Sequence, residues 1–550
     1  MSGVPDMPVN HRFHRRTLLR GGLLLAAAGM ALPAASLLEA CASVAGAAAA
    51  SRPRKGGSLT FATEAEISSF DPRVGAWDST GLLYARTVFD PLCVQAADGS
   101  VRPYLAQSVT PNADYTRWTI NLRSGIKFHD GSPLDSTVVK ANLDGLARGS
   151  LTGPFLLNMN RTQVVDQLTV QVTMNVPWVP FPSYLTTYVG HMAGLKQLAD
   201  TSGRVRPIGT GPFVFQEWEP GDHFTAVRNP DYWRSGLPYL DSITFRPIPD
   251  PASRGNSLVA GDVHLMHSSD TQNVADFLNR PGFIQINDRH SGLGEPDQNC
   301  IMLNTAVPPL NDLRVRQALA YATDRQRVVD TLYNGVTVPA DGPFAPGSPY
   351  YGPTGYPSHD VARAKALVAD YQRERGPISF TLASVNTGRA RQRNEFLQAM
   401  WKDAGIQADI VVVEQAALIL NAFVGRYQAC GWRQFNATDP DANFVWWSST
   451  TSAPVGKQAL NFARNADPLL DAALQAGRTQ VDPQVRAACY RLAASRLGAD
   501  IPYLWLAPSV WMVAAHESVG GLGQALLPDG GSARGMISGV ISTGELWRSQ

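Results

Sequence analysis

Apolar and polar positions change rhythm along this chain. An uncharged apolar run over residues 21–38 comes first, and an Ala/Gly/Ser-rich stretch carries the chain on to Lys55. Strand and turn signals then dominate. Residues 59–63 read as a short apolar strand, 118–122 alternate apolar with polar side chains, and 164–172 fold back about Asp166-Gln167. Residues 213–218 and 223–228 predict another hairpin, turned at Pro220-Gly221. Asp250 caps a helix with Pro251 at its first position, and Gly261 stops it. Further on the helices lengthen. Asp312 opens one whose Val315, Leu319 and Ala322 form an apolar stripe, with Gly335 closing the segment after Leu332. A strand over 378–383, a helix over 391–404 stopped by Gly405 and a strand over 408–413 make one βαβ unit, which requires a parallel, right-handed crossover. The pattern is that of an α/β protein with a strand-rich first half and a helix-rich second half.

The head of the chain changes what this fold is for. Arg15 and Arg16 precede the apolar run, and small residues follow it, the layout of an export signal over residues 1–41. Arg15-Arg16-Thr17-Leu18-Leu19-Arg20 resembles the twin-arginine class, which crosses the membrane folded. Leu38-Glu39-Ala40-Cys41 resembles a lipobox, implying lipid attachment at Cys41; cleavage within residues 44–48, discarding Cys41, is the alternative. Pro33 and Glu39 argue against a retained transmembrane helix. Residues 42–56 read as a flexible tether. The mature protein is expected outside the cytoplasm, at the cell surface or in the periplasm, anchored to the outer face of the cytoplasmic membrane if Cys41 is acylated.

Composition narrows the field. A net charge of +1, 17% charged residues and no contiguous Lys/Arg block after residue 55 argue against a nucleic-acid partner. The mature chain of about 500 residues exceeds what one core serves, so two or three domains are expected. Cys93, Cys300, Cys430 and Cys489 allow two disulfides in three connectivities, or remain as buried thiols.

Leu122-Arg123-Ser124-Gly125-Ile126-Lys127-Phe128-His129-Asp130-Gly131-Ser132-Pro133 is a strand running into a tight turn. The string resembles the signature of the family 5 extracellular solute-binding proteins, which include dipeptide, oligopeptide and nickel receptors of ABC importers. Three more segments agree in order: Gly209-Thr210-Gly211-Pro212-Phe213 with Arg228-Asn229-Pro230-Asp231-Tyr232-Trp233; Leu313-Arg314-Val315-Arg316-Gln317-Ala318-Leu319 continuing to Arg325; and Cys430-Gly431-Trp432 with Asp439-Pro440-Asp441. The resemblance covers residues 57–515. It implies a two-lobed periplasmic-binding-protein-like α/β fold of the class II, cluster C type, closing on its ligand by a hinge and delivering it to ABC permease subunits as a monomer. Lobe I would combine residues 57–268 and 505–550, with 76–204 as an extra subdomain, and lobe II would be 269–504. Crossing strands are expected near residues 264–270 and 504–510.

By the same resemblance, an Asp shortly after the Gly-Trp pair holds a peptide's ammonium. Alignment puts Asn436 there, with Phe435 as its neighbour. Asn brings no charge, and charge-assisted bonds are roughly twice as strong as neutral ones. Asp439 or Asp441 moving in is one alternative; a blocked peptide, a nickel chelate, haem or a sugar-type ligand is another. Trp432 is expected as an apolar wall over the ligand, Gln434 and Arg433 as partners of ligand carbonyls, and Trp77 and Asp78 as the lobe I segment facing the cleft. No cofactor is called for. His264 and His267, three apart in a strand, point to opposite faces and make a poor metal pair. Asp439-Pro440-Asp441-Ala442-Asn443 mimics a calcium loop, but Phe444 stands where Gly is required. A secreted hydrolase is the competing class, yet the chain has no Gly-x-Ser-x-Gly, His-Glu-x-x-His or Cys-x-x-Cys motif. A receptor that signals or chaperones needs the same clamp and is not separable here.

Overall fold

The computed structural model of the chain describes residues 52–549 apart from 76, 150–151, 201, 203–204, 288–294 and 435–437. The export segment, Cys41 and most of the tether therefore lie outside the described residues.

Two mixed sheets organise the described chain. The first, that of lobe I, has seven strands in the order Phe283–Asn287, Met512–His516, Leu265–Ser268, Ser58–Thr63, Ser242–Pro247, His223–Arg228, Phe213–Glu219. Ser58–Thr63 runs parallel to both neighbours, and Phe61 stacks on its register partner Phe245 at 5.3 Å. Such a doubly covered central strand reads as nearly continuous apolar sequence, which is why Leu59, Phe61 and Ala62 are all buried. The second sheet, that of lobe II, runs Ile406–Val413, Ile378–Val385, Ala429–Gln434, Gln298–Leu303, Tyr503–Pro508. Its βαβ unit is as expected: Ile378–Val385 pairs parallel with Ile406–Val413 across the helix Gly388–Asp403. The helix starts three residues early because Thr387 Oγ1 caps it, accepting from Ala390 N at 3.2 Å.

The sheets correct the expected lobe boundaries. Phe283–Asn287 pairs with Met512–His516 in the first sheet, so lobe I extends past residue 268 to Asn287. Tyr503–Pro508 pairs with Gln298–Leu303 in the second, so the return to lobe I falls after Pro508 and not at 505. The extra subdomain is an antiparallel sheet, Ala106–Pro111, Arg117–Leu122, Thr169–Met174, Met159–Asp166, with its own core around Val139, Leu143, Val172 and Trp178. That core begins at Leu92; the preceding helix Ser79–Val88 packs its Leu83, Tyr84 and Val88 into lobe I.

Local signals set most helix ends. Asp250 accepts from Ser253 N at 2.8 Å, Pro251 follows, and Gly261 ends the helix Pro251–Ala260 at φ 82°. The segment opened by Asp312 is two helices, Leu313–Ala322 and Arg325–Leu332. Thr323 Oγ1 donates to Leu319 O at 2.7 Å at the break, and Asp324 caps the second helix. His129, in the turn of the first motif, reaches the second: its Nε2 lies 3.0 Å from Gly211 O and its Nδ1 accepts from Gly209 N at 3.3 Å. Two motifs far apart in sequence are thus one packing contact. The four cysteines of the described chain are free thiols, and burial pushes those of Cys93 and Cys430 up to about 12.

Candidate functional site

The strand Ala429–Gln434 ends where the two lobes meet, and successive side chains leave it on opposite faces. Ligands of open α/β sheets bind outside such carboxyl ends. Trp432, half-buried, sets its ring edge-on to Phe462 at 5.5 Å; Trp446 lies 5.3 Å from the same ring, and Phe155 of the subdomain 5.6 Å from Trp446. The result is an aromatic shelf shared by lobe II and the subdomain.

The opposite face carries charge. Arg433 crosses to lobe I, where its guanidinium lies 4.7 Å over the Trp511 ring and its Nη2 donates to Ser269 Oγ at 3.4 Å. Arg389 makes a second crossing, donating to Asp270 at 2.7 Å and to Thr271. Between them sits Arg393, whose Nε donates to Asn394 Oδ1 at 3.0 Å and whose Nη atoms lie over Gly431 so closely that a Cβ there would collide with them. Arg393 takes part in no ion pair among the described residues. Burial lowers its pKa, the Tyr333, Cys300 and Cys430 groups beside it oppose that shift, and no carboxylate is among the groups that do.

Lobe I answers with acid. Glu64, just past the central strand, accepts from Ser269 N at 3.0 Å and from Ser269 Oγ at 2.9 Å, with Arg254 at 3.8 Å. Burial opposes its ionisation, but His267, Arg433, Arg254 and the Ser269 N–H together hold its pKa below the usual range. His267 is itself pushed down to about 4 by burial, so near neutral pH the two arginines supply the positive charge. Asp78 caps the helix Ser79–Val88, accepting from Gly81 N at 2.9 Å. Asp78 itself stays exposed to solvent. Desolvation raises its pKa, the charge of Glu64 adds to the rise, and Arg433 opposes it.

Other expected site residues fare differently. Trp77 is 6% exposed, stacks on Phe89 at 5.7 Å and donates its indole N–H to Ser69 O at 2.7 Å. It is a core residue beneath the Asp78 loop, not a cleft wall. Gln434 is 2% exposed and donates to Asn443 Oδ1 at 3.3 Å, so it braces the strand end instead of meeting ligand. Asp439 is paired with Arg486 at 2.6 Å. Asp441 is fully buried and accepts from Arg478 at 2.9 Å, Trp178 at 2.7 Å and Tyr184 at 2.9 Å. Neither carboxylate is free for a ligand ammonium. Phe435 and Asn436 lie outside the described residues. His264 Nδ1 accepts from Thr60 N at 2.9 Å, while His267 stacks on Trp511 at 4.9 Å. The two histidines do not converge, and among the described residues no group of three His, Cys, Asp or Glu is placed to hold a metal.

Sequence reasoning missed Glu64, Trp511 and Arg393. Glu64 carried a usable signal, an acid at the carboxyl end of a buried parallel strand. Arg393 carried none, because its meaning depends on Gly431 lying beneath it.

A two-lobed α/β clamp with charged groups facing each other across the seam is the architecture of a solute receptor. The chain belongs to the family 5 bacterial extracellular solute-binding proteins: residues 100–455 match "Bacterial extracellular solute-binding proteins, family 5 Middle". Among its relatives, the nickel-binding periplasmic protein of Escherichia coli (strain K12) is 29% identical over 459 residues, 79% of this chain and 86% of the relative. The glutathione-binding protein GsiB of Pectobacterium atrosepticum is 26% identical over 482 residues, 85% and 91% of the two chains. Among solved structures, the periplasmic binding protein DppA of Helicobacter pylori in complex with the peptide STSA superposes with a TM-score of 0.78 at 22% identity, covering 90% of this chain and 99% of that one. The protein is thus a substrate-binding protein of the ABC-transporter type.

Proposed function

We propose that the protein is an exported receptor that closes on a zwitterionic solute, an oligopeptide first among them, and hands it unaltered to an ABC permease. One observation carries the reading. Asp78, an acid on lobe I, and Arg393, a base on lobe II, reach the seam between the lobes and belong to no ion pair among the described residues. A ligand with an ammonium at one end and a carboxylate at the other satisfies both groups only when the lobes are shut. Such a ligand gains extra affinity for the closed state, and only that difference shifts a hinge. Asp78 also supplies the charge that Asn436 does not. Trp432 and its aromatic neighbours offer the ligand's side chains a flat apolar wall.

The two curated relatives are named for nickel and for glutathione; glutathione is itself a zwitterionic peptide, and nickel is the competing cargo. The protein would work beyond the cytoplasmic membrane, held there by a lipid on Cys41. Calorimetric titration with one tripeptide in free, N-acetylated and C-amidated forms tests the reading. Each block should weaken binding at least about tenfold, or about 1.4 kcal/mol. Asp78→Asn should lose the preference for the free ammonium, and Arg393→Gln that for the free carboxylate. Equal affinity for all three forms, or saturable binding of nickel without peptide, would overturn it.

A further inference from the structure

A small polar pocket lies away from the seam, where the end of the helix Ser79–Val88, the subdomain and the last stretch of chain converge. Its volume is about 40 Å³, roughly three times what one water requires and too little for a peptide. Arg86, Asp90, Tyr104, Tyr232, Arg234 and Glu545 are among its lining residues. Most of these groups satisfy one another. Arg234 donates to Glu545 Oε1 and to the Tyr104 hydroxyl, both at 3.0 Å. The second oxygen of Glu545 accepts from Ser542 Oγ. Asp90 accepts from Trp233 Nε1 at 2.8 Å, from the Tyr232 hydroxyl at 3.2 Å and from Thr210 Oγ1 at 3.3 Å.

Arg86 is the exception. It stands half-buried in the last turn of its helix, with neither hydrogen bond nor ion pair among the described residues. The charges that act on its guanidinium are those of Tyr104, Asp90 and Glu545, which puts its head at the pocket. A guanidinium carries five N–H donors and keeps its proton in a protein. No carboxylate in the pocket balances it. Glu545 is committed to Arg234, and burial pushes the Asp90 carboxyl up to about 7, so near neutral pH it is only partly ionised. A cavity beside a fixed cation with unfilled donors favours an anion, because an enclosed charge is costly until it is paired.

We propose that this pocket is a site for one small monovalent inorganic anion of chloride's size, held by the Arg86 guanidinium. The ion ties the helix Ser79–Val88 of lobe I to Tyr104 of the subdomain and to the chain around Glu545. It is separate from solute capture, and nothing in it depends on the peptide reading. Anomalous diffraction at the bromine edge from crystals soaked in sodium bromide tests it. One peak within hydrogen-bond reach of the Arg86 guanidinium is expected, and water there at full bromide would overturn the site. In solution, melts in sodium chloride and in sodium gluconate at equal ionic strength separate a bound ion from screening, since gluconate is too large for the pocket. The wild type should gain about 2 °C or more in chloride, saturating with concentration. Arg86→Met should melt at one temperature in both salts. Arg86→Lys keeps the cation and should retain part of the gain, so the comparison survives if the methionine variant does not fold. Equal melting of the wild type in the two salts, or an undiminished chloride gain in Arg86→Met, would overturn the proposal. A bromide peak without a chloride-dependent melt would mark an adventitious ion only, and would overturn it too.

Discussion

Asp441 is the residue whose loss should cost the fold most for the smallest chemical change. It sits on lobe II with no exposed side-chain surface, and its partners come from two bodies: Arg478 of lobe II, and Trp178 and Tyr184 of the subdomain. Burial alone would raise its pKa, but Arg478, through charge and hydrogen bond, together with the Trp178 N–H, brings it below the usual carboxylate range. Asp441→Asn keeps the shape and removes the charge, leaving the Arg478 guanidinium buried without a counter-ion. Breaking one side of such a pair costs about 3–5 kcal/mol. Pairing Asp441→Asn with Arg478→Met removes both charges, and the cycle should show a coupling of about 2 kcal/mol. Urea unfolding followed by tryptophan emission is a suitable assay, since Trp178 donates directly to the mutated group. The sign with pH is also set. The folded-state pKa is depressed, so the contribution is complete above the unfolded value, about 3.9, and lost as pH falls through the folded one. The gap between wild type and Asp441→Asn should therefore narrow below about pH 4. A single variant within about 1 kcal/mol of wild type, with coupling under about 0.5 kcal/mol, would refute the reasoning.

Further outcomes follow from the same contacts. Asp90, buried and bonded by Trp233 at 2.8 Å, Tyr232 at 3.2 Å and Thr210 at 3.3 Å, is pushed up to about 7 by desolvation. The folded state then holds a proton the unfolded chain releases, so stability should fall as pH rises from about 4 to about 7. Thermal melts across that range should show the slope, and Asp90→Asn should flatten it. Gly431→Ala puts a methyl group where the Arg393 guanidinium lies, and should reduce affinity for a free tripeptide to that for its C-amide. Trp432→Ala should weaken peptide binding at least about tenfold by calorimetry, whereas Trp432→Phe keeps most of it.

What the sequence disclosed follows from the range of each interaction. Asp250-Pro251 with Gly261, and Asp312, act within one helical turn, and their helices lie where those residues place them. The βαβ unit was legible because its strands are close in sequence. Phe283–Asn287 was not, since its partner Met512–His516 lies more than two hundred residues away. The site divides likewise. Trp77 carries the same chemistry whether it faces a cleft or a core, and its burial and stacking on Phe89 decide that it packs in the core. Asp439 looked available until Arg486, distant in sequence, was seen to neutralise it. Gln434 looked like a ligand contact until Asn443 closed over it.

Small-angle scattering of the ligand-free protein during titration with a free tripeptide pool bears most directly on the clamp. A saturable decrease in radius of gyration, complete at one ligand per chain and absent with the doubly blocked pool, is the predicted result. Stoichiometric binding with an unchanged scattering profile would contradict it.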